Sequence, residues 1–174
     1  IKKYYDAWPH TAHPMALLSS VVGAMSTFYV DCLNPFDARQ VEIAIHRLMA
    51  KMPTVAAYAY KKSVGQPYMY PRNSLHYLPN FLRMMFGTPA DEYEVDDDVS
   101  KALEQLFILH ADHEQNCSTS TVRVVGSSHA NIFASVSAGV AALGGPLHGG
   151  ANQEVLEMLE KIMKEGSSVD RVIE

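Results

Sequence analysis

The chain has 174 residues, 48% hydrophobic and 19% charged, with 14 basic and 19 acidic side chains for a formal charge of −5. A chain near this length forms one domain that buries about 70% of its unfolded surface, and this composition argues against disorder. The acidic balance and the lack of any basic tract argue against nucleic acid and anionic membrane as partners.

Cys32 and Cys117 stand far apart without CxxC or CxxH spacing, so neither a zinc site nor a disulfide framework is expected. A reducing cytoplasm fits that usage. The longest apolar runs, such as "FASVSAGVAALGG", fall short of the roughly 20 residues of a membrane span, and no signal peptide opens the sequence. The sequence has no initiator Met, and "SSVDRVIE" stops just after a helix start that Ser168 would cap. Both ends are therefore expected to belong to something longer.

In chain order the periodicity is helical almost throughout, with apolar residues at three- and four-residue spacing and few convincing strands. "PMALLSSVVGAMSTFYVDCL" predicts one helix with Pro14 in its first turn and a broad apolar face, either core or an interface between subunits. Asn34-Pro35 breaks it, and Asp37 caps "ARQVEIAIHRLMAKM", a helix expected to end before Pro53. A shorter helix, "TVAAYAYKKS", then runs toward Gly65.

"GQPYMYPRNS" reads as a loop, and Asn80 as the cap of a short helix "FLRMMFG". "TPADEYEVDDD" is a solvated acidic connection, and it provides a favourable acidic flank for the amphipathic helix "VSKALEQLFILHADHEQN". In "CSTSTVRVVGSSHANIFASVSAGVAALGG" small residues at close spacing predict tightly packed helices. A further helix, "QEVLEMLEKIMKEG", follows "GGPLHGGAN".

Two of the histidine-bearing stretches stand out. In "HADHEQN", His110 and His113 share a helix face with Asp112 and Glu114 alongside. Half of a metal site, a helix C-terminus whose histidines bond the last carbonyls, and a donor to an anionic substrate are all open readings. No second such pair appears, so no metal is assigned. In "GGPLHGGAN", the glycines would let backbone bend sharply and approach a ligand, and the helix that follows Asn152 offers free N–H groups to an anion. His148 there could polarise a carbonyl from one ring nitrogen while backbone holds the other. An incidental histidine in a helix–helix turn is the alternative.

Together the blocks "LHADHEQNCSTSTVRVVGSS", "GGPLHGGANQEVLEMLE" and "KMPTVAAYAYKKSVGQPYMYPRNSLHYLPNFLRMMFGTP" resemble the large helical domain of bacterial citrate synthases, over nearly the whole chain. The resemblance implies an all-α fold, with residues 1–174 a single partial domain, incomplete at both ends and lacking the small domain. It implies an acyltransferase of the tricarboxylic acid cycle that condenses acetyl-CoA with oxaloacetate to citrate and CoA. No cofactor is implied, since acetyl-CoA is a substrate.

By the same resemblance, His148 is the catalytic donor to the acetyl carbonyl, His113 contacts oxaloacetate, and His110 and Asn116 support the site. The family's second catalytic histidine, its aspartate base and its carboxylate-binding arginines have no counterpart here. None of Arg39, Arg47, Arg72, Arg83, Arg123 or Arg171 stands in those motifs. The segment by itself is therefore expected not to turn over. The resemblance also implies a homo-oligomer, dimer or hexamer, with the faces of residues 14–33 and 130–144 as pairing surfaces. Tyr29, Arg47 and Lys51 are allosteric candidates by position, for the NADH inhibition of some bacterial branches. A 2-methylcitrate synthase using propionyl-CoA, and a non-catalytic helical metal-binding or interaction module, are the rival functions.

Overall fold

A computed structural model describes residues 1–112 and 114–166 of the chain. Eight α-helices follow one another among these residues, with no strand: α1 (Lys2–Ala7), α2 (Pro14–Ala24), α3 (Ala38–Ser63), α4 (Tyr77–Phe86), α5 (Asp97–Leu109), α6 (Cys117–Ser127), α7 (Ile132–Leu143) and α8 (Gly150–Glu165). No described helix is long and apolar enough to cross a membrane.

The helix expected from Pro14 stops at Ala24 and gives way to two 3-10 turns, Met25–Thr27 and Val30–Cys32. The Ser26 and Thr27 hydroxyls donate to the Gly23 and Ala24 carbonyls, each at 2.8 Å. Short hydroxyl side chains satisfy these acceptors locally and so compete with regular helix. Asp37 caps α3 as expected, its Oδ1 accepting from Arg39 N (3.0 Å) and Gln40 N (3.2 Å). Such a cap contributes about 1 kcal/mol.

Pro53 does not end a helix: α3 runs through it to Ser63. Proline has no N–H to give the carbonyl four residues earlier, which normally breaks the helix. Here that carbonyl, Met49 O, accepts instead from the Tyr77 hydroxyl at 3.0 Å. α4 likewise begins before the expected point, at Tyr77, and places Asn80 inside the helix. Asn80 instead clamps the preceding loop, its Oδ1 accepting from Arg72 N (3.0 Å) and its Nδ2 donating to Arg72 O (2.9 Å).

The core is built where α1, α2, α3 and α7 meet, around the fully buried Tyr5, Val22, Val55 and Phe133. Burying side chains of this size stabilises by about 1.5–3 kcal/mol each. The Tyr5 hydroxyl reaches Val55 O at 2.7 Å, and burial pushes its phenol well above the ordinary range, so it stays a neutral donor. α2 and α7 are tied by a reciprocal pair: Ser137 Oγ donates to Ser19 O (2.7 Å) and Ser19 Oγ to Ser137 O (3.0 Å). A Cβ on Gly139 would lie 2.5 Å from Val122 Cγ2, which is how closely α6 and α7 approach.

Part of the apolar faces of α2 and α7 packs within the chain, α2 on α7 and α3 and α7 on α2 and α6, with Leu17, Val21, Val22, Phe133 and Gly139 buried. Large hydrophobics stay exposed within both expected stretches, at Phe28, Val30 and Leu143, as well as at Leu106, Phe107, Ile108 and Leu109 at the end of α5 and at Val155, Leu156, Met158, Leu159 and Met163 along α8. The helix start expected at Ser168 lies outside the described residues.

Candidate active site

Three helix ends converge on one open cleft: the C-terminus of α5, and the N-termini of α6 and α8. α5 is launched by Asp96, whose Oδ1 accepts from Asp98 N (2.8 Å) and Val99 N (3.1 Å). It closes at His110, whose ring Nδ1 lies 2.7 Å from Leu106 O. A carbonyl only accepts, so Nδ1 carries the proton there and the helix-C-terminus reading of His110 holds. The helix thus ends at Leu109, short of the expected Asn116.

The connection to α6 is short and bent. Glu114 takes a positive φ of 56°, a left-handed conformation that costs a non-glycine residue about 1–2 kcal/mol. Side chains hold it there: Asp112 Oδ1 accepts from Glu114 N (3.3 Å), Ser120 Oγ donates to Gln115 O (3.3 Å) and Arg123 Nη1 donates to Gln115 Oε1 (2.9 Å). Asn116 is the N-cap of α6, its Oδ1 accepting from Thr119 N at 2.9 Å. His113 lies outside the described residues.

On the other wall, the turn 144–149 leads from α7 into α8. His148 N donates to Gly145 O at 3.0 Å, and the half-buried imidazole points its Nε2 at Ser118 Oγ, 2.6 Å away. The expected backbone partner for the ring is therefore replaced by a hydroxyl from the first turn of α6. The difference matters chemically. A carbonyl would force that nitrogen to be a donor, whereas a serine hydroxyl donates or accepts and lets the ring take either tautomer.

The glycines also work otherwise than expected. Neither Gly144 nor Gly149 has a positive φ (−68° and −69°), and the described glycines that do are Gly65 and Gly166. What Gly149 supplies is room for the chain itself, since a Cβ there would fall 2.1 Å from Leu143 O. α8 starts at Gly150, ahead of Asn152, so Asn152 sits in its first turn.

The cleft has a volume of about 820 Å³ and is lined by His110, Asp112, Glu114, Gln115, Asn116, Ser118, Arg123 and Leu147 with His148 and Asn152. "HADHEQN" and "GGPLHGGAN", far apart in sequence, thus form its two walls. Helix N-termini favour negative charge, and α6 and α8 both open here, so the cleft suits an anionic ligand beside the imidazole. Among the described residues no three His, Cys, Asp or Glu side chains converge as metal ligands would.

Ser118, Gln115 and Arg123 escaped the sequence reading. Only the cap at Asn116 hints at Ser118, by placing it in a helix's first turn. Tyr29, Arg47 and Lys51 lie away from this cleft. Arg47 forks onto Asp31 (2.6 and 2.9 Å), reaches Cys32 Sγ at 3.1 Å and lies 4.5 Å from the centre of the Tyr29 ring. The guanidinium holds the Asp31 carboxyl below its usual range. Lys51 follows Arg47 by one turn of α3.

Comparison with known proteins agrees with this architecture. The family model described as "Citrate synthase, C-terminal domain" matches residues 1–174. "Citrate synthase 1" of Mycobacterium tuberculosis is 61% identical over 173 residues, covering 99% of this chain and 40% of that protein. "Citrate synthase" of Corynebacterium glutamicum is 60% identical over 161 residues, covering 92% of this chain and 37% of that protein. Among solved structures, the crystal structure of citrate synthase from Pyrobaculum aerophilum superposes with a TM-score of 0.75 at 36% identity, over 92% of this chain and 40% of that one. The chain thus spans about 40% of the length of the relatives it matches. With the family model matched from end to end and the all-α architecture shared, the chain belongs to the citrate synthase family.

Proposed function

We propose that this chain is a partial citrate synthase large domain, cytoplasmic and homo-oligomeric, which supplies one wall of a site condensing acetyl-CoA with oxaloacetate. The balanced reaction consumes one water and releases citrate and CoA. A carboxylate base removes a proton from the acetyl methyl group, and the resulting enol attacks the keto carbon of oxaloacetate. Water then cleaves the thioester.

His148 is assigned the electrostatic part of this chemistry. With the Ser118 hydroxyl donating to Nε2, the neutral ring carries its proton on Nδ1 and offers it to the acetyl oxygen as negative charge develops there. A donor fixed in place before the reaction loses no free energy to reorientation when the charge appears. His113 is assigned to the oxo acid, with His110 and Asn116 supporting the loop that carries it. The exposed apolar stretches of α5 and α8 are assigned to contacts with the rest of the assembly.

The observation that carries the reading is the 2.6 Å contact between His148 and Ser118, because it orients an imidazole in a cleft otherwise suited to anions. A thiol-release assay on a preparation that turns over tests it. His148→Ala should lower kcat by about 10² or more, as loss of an oxyanion-type donor does. Unchanged turnover would overturn the assignment.

A further inference from the structure

We propose that Arg123 is a substrate-binding residue of the same cleft, offering its guanidinium to an anionic oxygen group: a carboxylate of the oxo acid or a phosphate of the CoA thioester. The inference rests on the reading of the His148 cleft as the condensing site and adds a residue to it.

Three observations converge on Arg123. The first is its place. It is an exposed residue of α6 that lines the same cleft as Ser118 and His148. The second is its free charge. Arg47 is taken by Asp31, Arg72 pairs with Glu92, and Arg83 is buried with its Nη1 on Tyr70 O. Arg123 has no carboxylate partner among the described residues, and its hydrogen bond goes to a neutral amide oxygen, Gln115 Oε1, at 2.9 Å. A guanidinium has five N–H donors in a planar fork that matches carboxylate and phosphate, so one bond to an amide orients the group and leaves the rest for a ligand.

The third is the local field. The N-termini of α6 and α8 open on this cleft and add positive potential. Two carboxylates also line it, and the Asp112 group is turned back onto the Glu114 N–H at 3.3 Å. Among the described residues the cleft thus presents one guanidinium without a carboxylate partner, held by Gln115. Both substrates of the proposed reaction are anions.

The test uses a preparation with turnover, varying each substrate separately. Arg123→Gln should raise the KM of one substrate by about 10-fold or more, one decade being about 1.4 kcal/mol of lost binding, while kcat changes less than about 3-fold. A rise confined to oxaloacetate assigns the carboxylate; a rise confined to acetyl-CoA assigns the phosphate. Arg123→Lys keeps the charge without the fork and should recover part of the loss in the same substrate. If the glutamine variant fails to fold, the lysine variant decides: its KM for one substrate should still exceed that of the parent by about 3-fold.

Both KM values within about 2-fold of the parent in Arg123→Gln, or in Arg123→Lys where the glutamine variant does not fold, overturn the inference. So does a Gln115→Ala variant that reproduces the full effect while Arg123→Lys rescues nothing, because Arg123 would then act only as a tie to the loop. His148→Ala, assayed alongside, separates the two readings. Turnover untouched by its loss sinks the site itself, whereas turnover lost at His148 with KM unmoved at Arg123 sinks only the role of Arg123.

Discussion

Gly149→Ala should be far more damaging than Gly150→Ala, although the two glycines are neighbours and both have helix-compatible backbones. Gly149 sits at φ −69° and ψ −21°, a conformation alanine adopts freely, and Gly150 is the first residue of α8. By backbone preference alone, both changes would stabilise the chain by about 0.4–1 kcal/mol through the unfolded state. The surroundings separate them. A Cβ at Gly150 meets nothing closer than Pro146 Cβ at 3.9 Å, an ordinary contact. A Cβ at Gly149 falls 2.1 Å from Leu143 O, where a relaxed C···O contact is about 3.3 Å, so backbone on one side must retreat by about 1 Å.

Leu143 is the last residue of α7, which is packed on α2 and α6, so the turn carrying His148 is the part that gives way. Overpacking of this kind costs about 1–3 kcal/mol of stability. A 1 Å displacement of the imidazole breaks its 2.6 Å contact with Ser118, and misplacement on that scale costs about 10²-fold in rate. The assay pairs denaturant unfolding with thiol release on an active preparation. Gly150→Ala should sit within about 0.5 kcal/mol of the parent or above it, with activity retained. Equal effects of the two substitutions, or a Gly149→Ala variant of parental rate and stability, would refute the steric account.

Two further outcomes follow from side chains that hold backbone carbonyls. Tyr77→Phe should destabilise by about 0.5–1.5 kcal/mol, since it strips the donor from the carbonyl that Pro53 leaves free. In a Pro53→Ala background the restored N–H takes that carbonyl, so the penalty should shrink; a double-mutant cycle with no coupling would show the two residues independent. Lys61 is fully buried, its ammonium donating to Gln66 Oε1 (2.6 Å) and Gly87 O (2.7 Å), with desolvation lowering its pKa. The unfolded chain then binds the proton more tightly than the folded one. The stability of the parent relative to Lys61→Met should therefore rise as pH climbs toward the ordinary lysine value near 10.4. Unfolding curves at several pH values check this, and a flat difference would mean that burial does not perturb the amine.

What the sequence determined by itself is what neighbours along the chain decide. Helical class follows from apolar spacing within two turns, and the Asp37 cap from a hydrogen bond spanning three residues. The end of α5 at His110 was one of three readings of "HADHEQN", and it turns on a bond to a residue one turn back. The two motif stretches that form the cleft were also legible, because each carries residue types that local structure does not require.

What only the tertiary structure decided depends on partners that sequence distance hides. α3 continues past Pro53 because a tyrosine 28 residues away from Met49 supplies the missing donor. The buried apolar residues of α2 and α7 meet in the core, where Ser19 and Ser137, 118 residues apart, tie the two helices together. Gly149 is a glycine on account of Leu143 O rather than of its own φ. His148 is aimed by Ser118, 30 residues earlier. Propensity and capping act over one turn of chain, whereas the free energy of a buried donor, a close backbone approach or an oriented imidazole is set by whichever atom the fold brings within about 3 Å.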